Sequence, residues 1–408
     1  MKRIAIVGAG QSGLQLALGL QANNFDVTLL SNRTAEQIRN GKVTSSQIMF
    51  DRAMQTERDL GIDLWQDTAP QVSALTIAVG NPLDKSSKIA DWAGPFERPA
   101  QSVDQRVKAS AWLELFVSRG GTLRIAEVGV SELEELSDSH DLVVVAAGKG
   151  DIVNLFERDA VQSMFSKPQR VLGLLYVNGM KAAARPGTGC IDVAPNVGEY
   201  VSFSAITTSG ACDIMLFEGI PGTAMDCWSD VSTPEEYVST AKNILASYFP
   251  WHTDRCTSIQ ATDPNGVISG RVTPTVRKPV ALLPSGRPIF GMADVVVVND
   301  PISGQGANSA ALCADLYLKE IVARREQSFD AAWMQQTFNS FYSYAKYVAS
   351  FTGTVLTGLP NVVNAMLKAT QNQTLATAFA TGLTDPRTFG SWLLDAPANE
   401  QGVQKVAA

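Results

Sequence analysis

Histidine is nearly absent from this 408-residue chain: only His140 and His252 occur. A reaction built on an imidazole base, or a histidine-rich metal centre, has little to draw on. Neither residue sits in a motif, and both read as structural. Cysteine is scarce too. Cys190, Cys212, Cys227, Cys256 and Cys313 include no C-x-x-C pair, so small buried thiols are expected rather than disulfides or a metal site. There is no excess of positive charge. Lys and Arg number 33 against 40 Asp and Glu, a net charge of -7, which leaves no electrostatic footprint for nucleic acid. No apolar run reaches membrane length. Met1-Lys2-Arg3 looks like the start of a secretion signal, but Gly8, Gly10, Gln11, Ser12 and Gly13 break the run that follows. A cytoplasmic protein without membrane contact is expected. Internal repeats and low-complexity tracts are missing as well.

What is present starts at once. "KRIAIVGAGQSGLQLALGL" places a short apolar strand, Ile4 to Val7, before three glycines, Gly8, Gly10 and Gly13, and then a leucine-rich helix. Asn23 and Asn24 end the helix, and Asp26 to Leu30 forms the next strand. This βαβ unit has the length and glycine spacing that cradle a dinucleotide pyrophosphate, with Gln11 and Ser12 in the turn. The tip of the second strand, Ser31-Asn32-Arg33, lacks the acid that often binds ribose. Ser31 or Asn32 can supply one hydrogen bond, and Arg33 faces either the adenine end of the ligand or solvent.

Farther on, Ser102 to Phe116 reads as a helix, Thr122 to Ile125 as a strand, and Asp141 to Ala147 as a buried strand closed by Gly148 and Gly150. Gly148 therefore joins the cofactor-contacting set. The stretch from Lys167 to Phe290 is strand-rich, with Val72 to Val79 as a further strand and one helix at Pro234 to Tyr248. It predicts a mostly antiparallel sheet that roofs a ligand. The expected α/β architecture is a Rossmann-like domain over residues 1–45, 100–165 and 285–330, a β-rich substrate domain over 46–99 and 166–284, and a helical segment over 331–408.

The most informative stretch is "GMADVVVVNDPISGQGANSAALCADLYL". Asp294 follows a strand end, where an acid holds polyol hydroxyls. Pro301, Gly304, Gln305, Gly306, Ala307 and Asn308 then open a long helix, whose free N–H groups suit an electron-rich ring edge. This pairing resembles the second FAD motif of flavoprotein hydroxylases, with Ala293-Asp294 where those enzymes usually carry Gly-Asp. The resemblance assigns Arg106, with Gln105, to the FAD, and it assigns the groups from Pro301 through Gly304 and Gln305 to Asn308 to holding the flavin and its oxygen adduct.

"RIAIVGAG", "DLVVVAAGKG", "SKPQRVL" and "DPISGQGAN" together resemble the styrene and indole monooxygenases, two-component flavin enzymes that epoxidise a carbon–carbon double bond. Ser45, Gln47 and Met49 match the Ser-x-Gln-x-Met pattern of the indole-acting group. The styrene-acting group carries Asn-x-Val-x-His there. The resemblance implies reduced FAD delivered by a separate NADH-dependent flavin reductase, O2, and oxygen transfer from a flavin 4a-hydroperoxide. Indole is the implied substrate, leading to indoxyl and indigo, with styrene and aryl sulfides as side substrates. In this reading Ser45 or Gln47 accepts from the indole N–H or orients a neighbour that does, and Met49 supplies an apolar wall. A second G-x-G-x-x-G and the Asp-Gly motif of single-component hydroxylases are both missing, consistent with an external electron source. A direct FAD/NAD(P)H oxidoreductase, a flavin carrier and a styrene epoxidase remain the alternatives. Flavin halogenases share the fold, but their W-x-W-x-I-P stretch is absent. The C-terminal helices either close the pocket or build a homodimer.

Overall fold

A computed structural model describes residues 1–148, 150–358 and 360–394. Two sheets organise it. The first has six strands in the order Val280–Leu282, Pro288–Gly291, Leu142–Val145, Arg3–Val7, Asp26–Ser31, Thr122–Ile125. All neighbours are parallel except the first pair, which forms an antiparallel edge. Residue 280 already lies in this sheet, so it reaches back past the expected start at 285. Ile4 to Val7 occupy its middle, covered on both faces as their unbroken apolar run requires.

The second sheet carries Gln71–Gly80, Lys88–Gln101, Val171–Asn178, Thr188–Ala194, Gly198–Thr207 and Gly210–Gly219, with short strands at its edge. Its pairs are antiparallel apart from Gln71–Gly80 beside Thr188–Ala194. The helix Pro234–Tyr248 packs on one face, where Tyr200, Phe217, Trp228 and Phe249 are buried. The C-terminal helices Ala331–Thr357, Pro360–Ala369 and Gln373–Thr384 are packed into this molecule. Phe379, Phe389 and Trp392 share a core with Trp92, and the Trp92 indole N–H donates to the Met366 carbonyl at 2.9 Å. No helix among the described residues is long and apolar enough to cross a membrane.

Candidate cofactor cradle and substrate wall

The C-terminal ends of the parallel strands gather the glycines, and each glycine is there for a different reason. Gly8 has φ +118°, and a Cβ on it would lie 2.7 Å from the Ala147 nitrogen. Gly13 lets its helix cross the strand: an added Cβ would sit 1.9 Å from the Gly8 carbonyl oxygen. Gly10 faces open space. It precedes the helix Gln11–Ala22, which has no side-chain cap and no acid in its first turn. The positive end of that helix is left for an anion.

A second uncapped helix, Gly306–Ala323, starts nearby. The two lie side by side. A Cβ on Gly19 would meet Leu318 at 2.5 Å, and Gln15 donates to the Ala311 carbonyl at 3.1 Å. Asp294 is exposed at the adjacent strand end, and a Cβ on Gly148 would reach 2.7 Å from its Cβ. Gly148 is thus the spacer that admits the acid. Ala293 takes the left-handed φ of +53° that favours glycine, so a methyl is accommodated with strain. Ala293→Gly is expected to be nearly neutral. Relief of about 1 kcal/mol is offset by a lost buried methyl, about 0.8 kcal/mol, and by chain entropy. Ala293→Val, β-branched at positive φ, is expected to destabilise by about 2 kcal/mol, read from a denaturant melt.

The remaining predicted residues divide. Ser31 turns inward and closes its own turn, accepting from the Arg33 N–H at 3.1 Å and donating to the Arg33 carbonyl at 2.6 Å. Asn32 reaches Glu127 at 3.3 Å on the surface. Gln11 is buried, donating to Glu57 at 2.8 Å, and Lys108 pairs with the same carboxylate at 2.8 Å. Gln105 only approaches Gln11, at 3.5 Å. These side chains brace the glycine turn, which leaves the backbone to meet a ligand.

Arg106 corrects the expectation that it meets FAD. All five of its N–H donors are occupied: by Asp104 at 2.8 Å, the Gly41 carbonyl at 3.4 Å, Thr207 at 3.0 Å, and Asp263 at 2.9 and 3.0 Å. Burial alone would lower its pKa, but Asp263 and Asp104 outweigh it and hold the guanidinium charged. It ties the helix Gln105–Ser118 to Thr207 on the second sheet and to Asp263.

The stretch 45–50 lies against the second helix start, and Asn308 joins them. Its Nδ2 donates to the Ile48 carbonyl at 2.8 Å and the Gly304 carbonyl at 2.9 Å, and its Oδ1 accepts from the Phe50 N–H at 2.8 Å. Asn308 therefore sets loop geometry and has no free donor for a reacting atom. Gln305 is likewise anchored, donating to the Leu383 carbonyl at 2.8 Å. Both differ from residues that would touch the chemistry directly. Gln47 is buried and donates to the Val103 carbonyl at 2.5 Å and the Tyr176 hydroxyl at 3.1 Å. Its oxygen accepts from Ser45 at 2.7 Å, and Tyr176 donates to the Ser45 carbonyl at 2.9 Å. Gln47 thus orients Ser45, an exposed residue whose hydroxyl lone pairs stay available. Met49 is core, packed with Ala53, Met54 and Ala311, and is not a wall. Ile48, between them, is half-buried, and its Cγ2 lies 3.6 Å from where a Gly304 Cβ would be. Gln47 and Met49 are buried, while Ile48 packs at the edge of the core that contains Trp92.

Among the described residues, Cys190, Asp192 and His252 bring ligand-type atoms within 4.8 Å of one another. Asp192 there accepts from the Trp251 indole N–H at 2.6 Å and pairs with His252, and burial pushes the Cys190 thiol up. The group is a hydrogen-bonded knot beneath the second sheet. His140 is held by Thr28 at 3.1 Å.

A glycine turn with an open anion-facing helix start, an acid just past the strand Pro288–Gly291 and a second uncapped helix fit FAD. The fold and this cradle define a flavoprotein. Solved structures agree on the fold. The flavin-dependent brominase Bmp2 superposes with a TM-score of 0.70 at 13% identity over 98% of both chains. A flavoprotein/dehydrogenase from Cytophaga hutchinsonii also gives 0.70, at 11% identity over 99% of this chain and 98% of that one. Residues 148–255 match the family described as "Styrene monooxygenase A putative substrate binding domain". The styrene monooxygenase StyA of Pseudomonas fluorescens is 27% identical over 328 residues, 79% of this chain and 78% of that protein, and a second StyA from a Pseudomonas species aligns equally. The chain is an FAD-dependent monooxygenase that is similar to the styrene monooxygenases over these stretches.

Proposed function

We propose that the chain is the oxygenase half of a two-component system. It receives reduced FAD from a separate NADH-dependent reductase and epoxidises the 2,3 double bond of indole. Bound reduced FAD with O2 supplies an electrophilic oxygen atom. The protein's part is positioning and exclusion of water. In this reading the backbone of Gly8 to Gly13 holds the pyrophosphate, and Asp294 holds the ribityl hydroxyls. The N–H groups from Gln305 to Ala307, following the turn Pro301–Ser303 that Gly304 closes with its own N–H, hold the flavin edge, and Ile48 keeps water from it. The observation that carries the indole reading is the Ser45 hydroxyl, held by Gln47 with its lone pairs free to accept an indole N–H.

Styrene is the second reading, favoured by the name of the relatives in Pseudomonas. The two are separated by giving chemically reduced FAD and air with indole and styrene side by side. Indigo formation faster than styrene oxide is the expected result. Peroxide alone would overturn the oxygenase reading, and faster styrene oxide would overturn the indole reading. Ser45→Ala is expected to lower the indole rate relative to styrene by about 10-fold, the discrimination that one lost hydrogen bond of about 1.4 kcal/mol gives.

A further inference from the structure

Three carboxyls and one guanidinium are buried together where the second sheet meets the turn before the cradle helix. Glu218, on the strand Gly210–Gly219, is fully buried; Asp300, Glu199 and Arg170 are 1%, 8% and 5% exposed. Arg170 is committed to Glu199, donating to both its oxygens at 2.7 and 2.8 Å. That pair is neutral as a unit. Glu218 and Asp300 are left facing each other. Neither oxygen of Glu218, nor Oδ2 of Asp300, receives an N–H or O–H from another residue.

Two ionised carboxylates cannot share such a site, whereas a single proton between them satisfies both. Burial raises Glu218 well above the carboxylate range, with Asp300 and Glu199 adding to it. Burial also pushes Asp300 up to about 6. At neutral pH the pair therefore retains one proton between its two carboxyls.

Asp300 is no bystander to the cradle. Its Oδ1 accepts from the Ile302 N–H at 3.2 Å, capping the turn Pro301–Ser303. That turn leads through Gly304, at φ +64°, into the helix Gly306–Ala323. The remaining element on the turn, the helix Ala331–Thr357, has one charged residue, Lys346, which lies over the Tyr347 ring. Arg170 and Glu199 are thus the charges that act on the pair.

We propose that Glu218 and Asp300 share one buried proton and act as positioning residues, fixing the turn that presents the flavin-facing N–H groups. Glu218 works only through Asp300. The proposal rests on the flavin reading of that turn, but its first test does not.

Infrared spectra of the FAD-free wild type at pH 7 are expected to contain a protonated-carboxyl band that Glu218→Gln removes. No such band at pH 7 overturns the proposal. Folded protein holds these protons after the unfolded chain has released them, from about pH 4 upward through about 6 for Asp300 and higher for Glu218. Stability from this pair therefore falls as pH rises across that window. In Glu218→Gln, which keeps a donor to Asp300, the fall in melting temperature is expected to be shallower. FAD affinity, titrated by flavin fluorescence, is expected to weaken in the wild type by up to ~10-fold per pH unit once Glu218 ionises, and to stay level over the same range in Glu218→Gln. Superimposable affinity profiles overturn the positioning role. A protein that binds no FAD while keeping the infrared band overturns the flavin reading alone.

Discussion

Gly13→Ala is expected to leave no folded protein, while Gly10→Ala folds normally and binds FAD at least ~10-fold more weakly, a loss of about 1.4 kcal/mol or more. The two glycines belong to one motif and differ by three positions, yet their surroundings are opposite. A methyl on Gly13 would overlap the Gly8 carbonyl oxygen at 1.9 Å. The obstacle is backbone, at the centre of the parallel sheet, so no side-chain rotation relieves it, and a penalty above about 4 kcal/mol follows. A methyl on Gly10 meets nothing within 4 Å. Its backbone, at φ -92° and ψ -170°, suits any residue. What it would obstruct is the approach of a phosphate to the helix start. Circular dichroism melts and a fluorescence titration with FAD separate the two outcomes. A folded Gly13→Ala protein would show that the helix can withdraw from the strand.

Arg106→Ala is expected to destabilise the protein by about 3–5 kcal/mol while leaving FAD affinity of the folded fraction unchanged. Removing the guanidinium leaves Asp104, 1% exposed, without its ion partner, and strips Asp263 of two hydrogen bonds. The large effect comes from uncompensated buried charge, not from a lost cofactor contact. Arg106→Lys is expected to recover little. One ammonium cannot serve Asp104, Asp263 and Thr207 in the plane that the guanidinium fork spans. Denaturant melts report the first effect and flavin fluorescence the second. Weakened FAD binding in a variant of wild-type stability would return Arg106 to the cofactor.

The first βαβ unit and the far "DPISGQGAN" segment were legible in the chain because glycine spacing and apolar runs are local signals. The short helix Asp51–Asp59 and the strand Lys88–Gln101 were not. The helix is strongly polar, and the strand contains Pro95 and Pro99, which local rules read as breaks. Its pairing with Gln71–Gly80 tolerates them through a register shift between Val72 and Ala74. Arg106 was misread for a different reason. A basic residue at a helix start looks free until Asp263, far along the chain, is folded against it. Glu218 carried no pattern at all. A lone acid ending an apolar strand gains meaning only when Asp300 arrives beside it.

The order of strands in the first sheet also governs when the site can exist during synthesis. Arg3–Val7 leaves the ribosome before Leu142–Val145, with which it pairs, and that strand leaves before its own partner Pro288–Gly291. The fingerprint glycines therefore emerge before both partners and wait, with one sheet edge unpaired, until Pro288–Gly291 has been made. If FAD is held as proposed, it cannot template the opening unit, because Asp294 and the second helix start do not yet exist. The nascent chain must keep that apolar strand from wrong partners through slow, long-range pairing. Its glycine turn is made well before the strands that complete it.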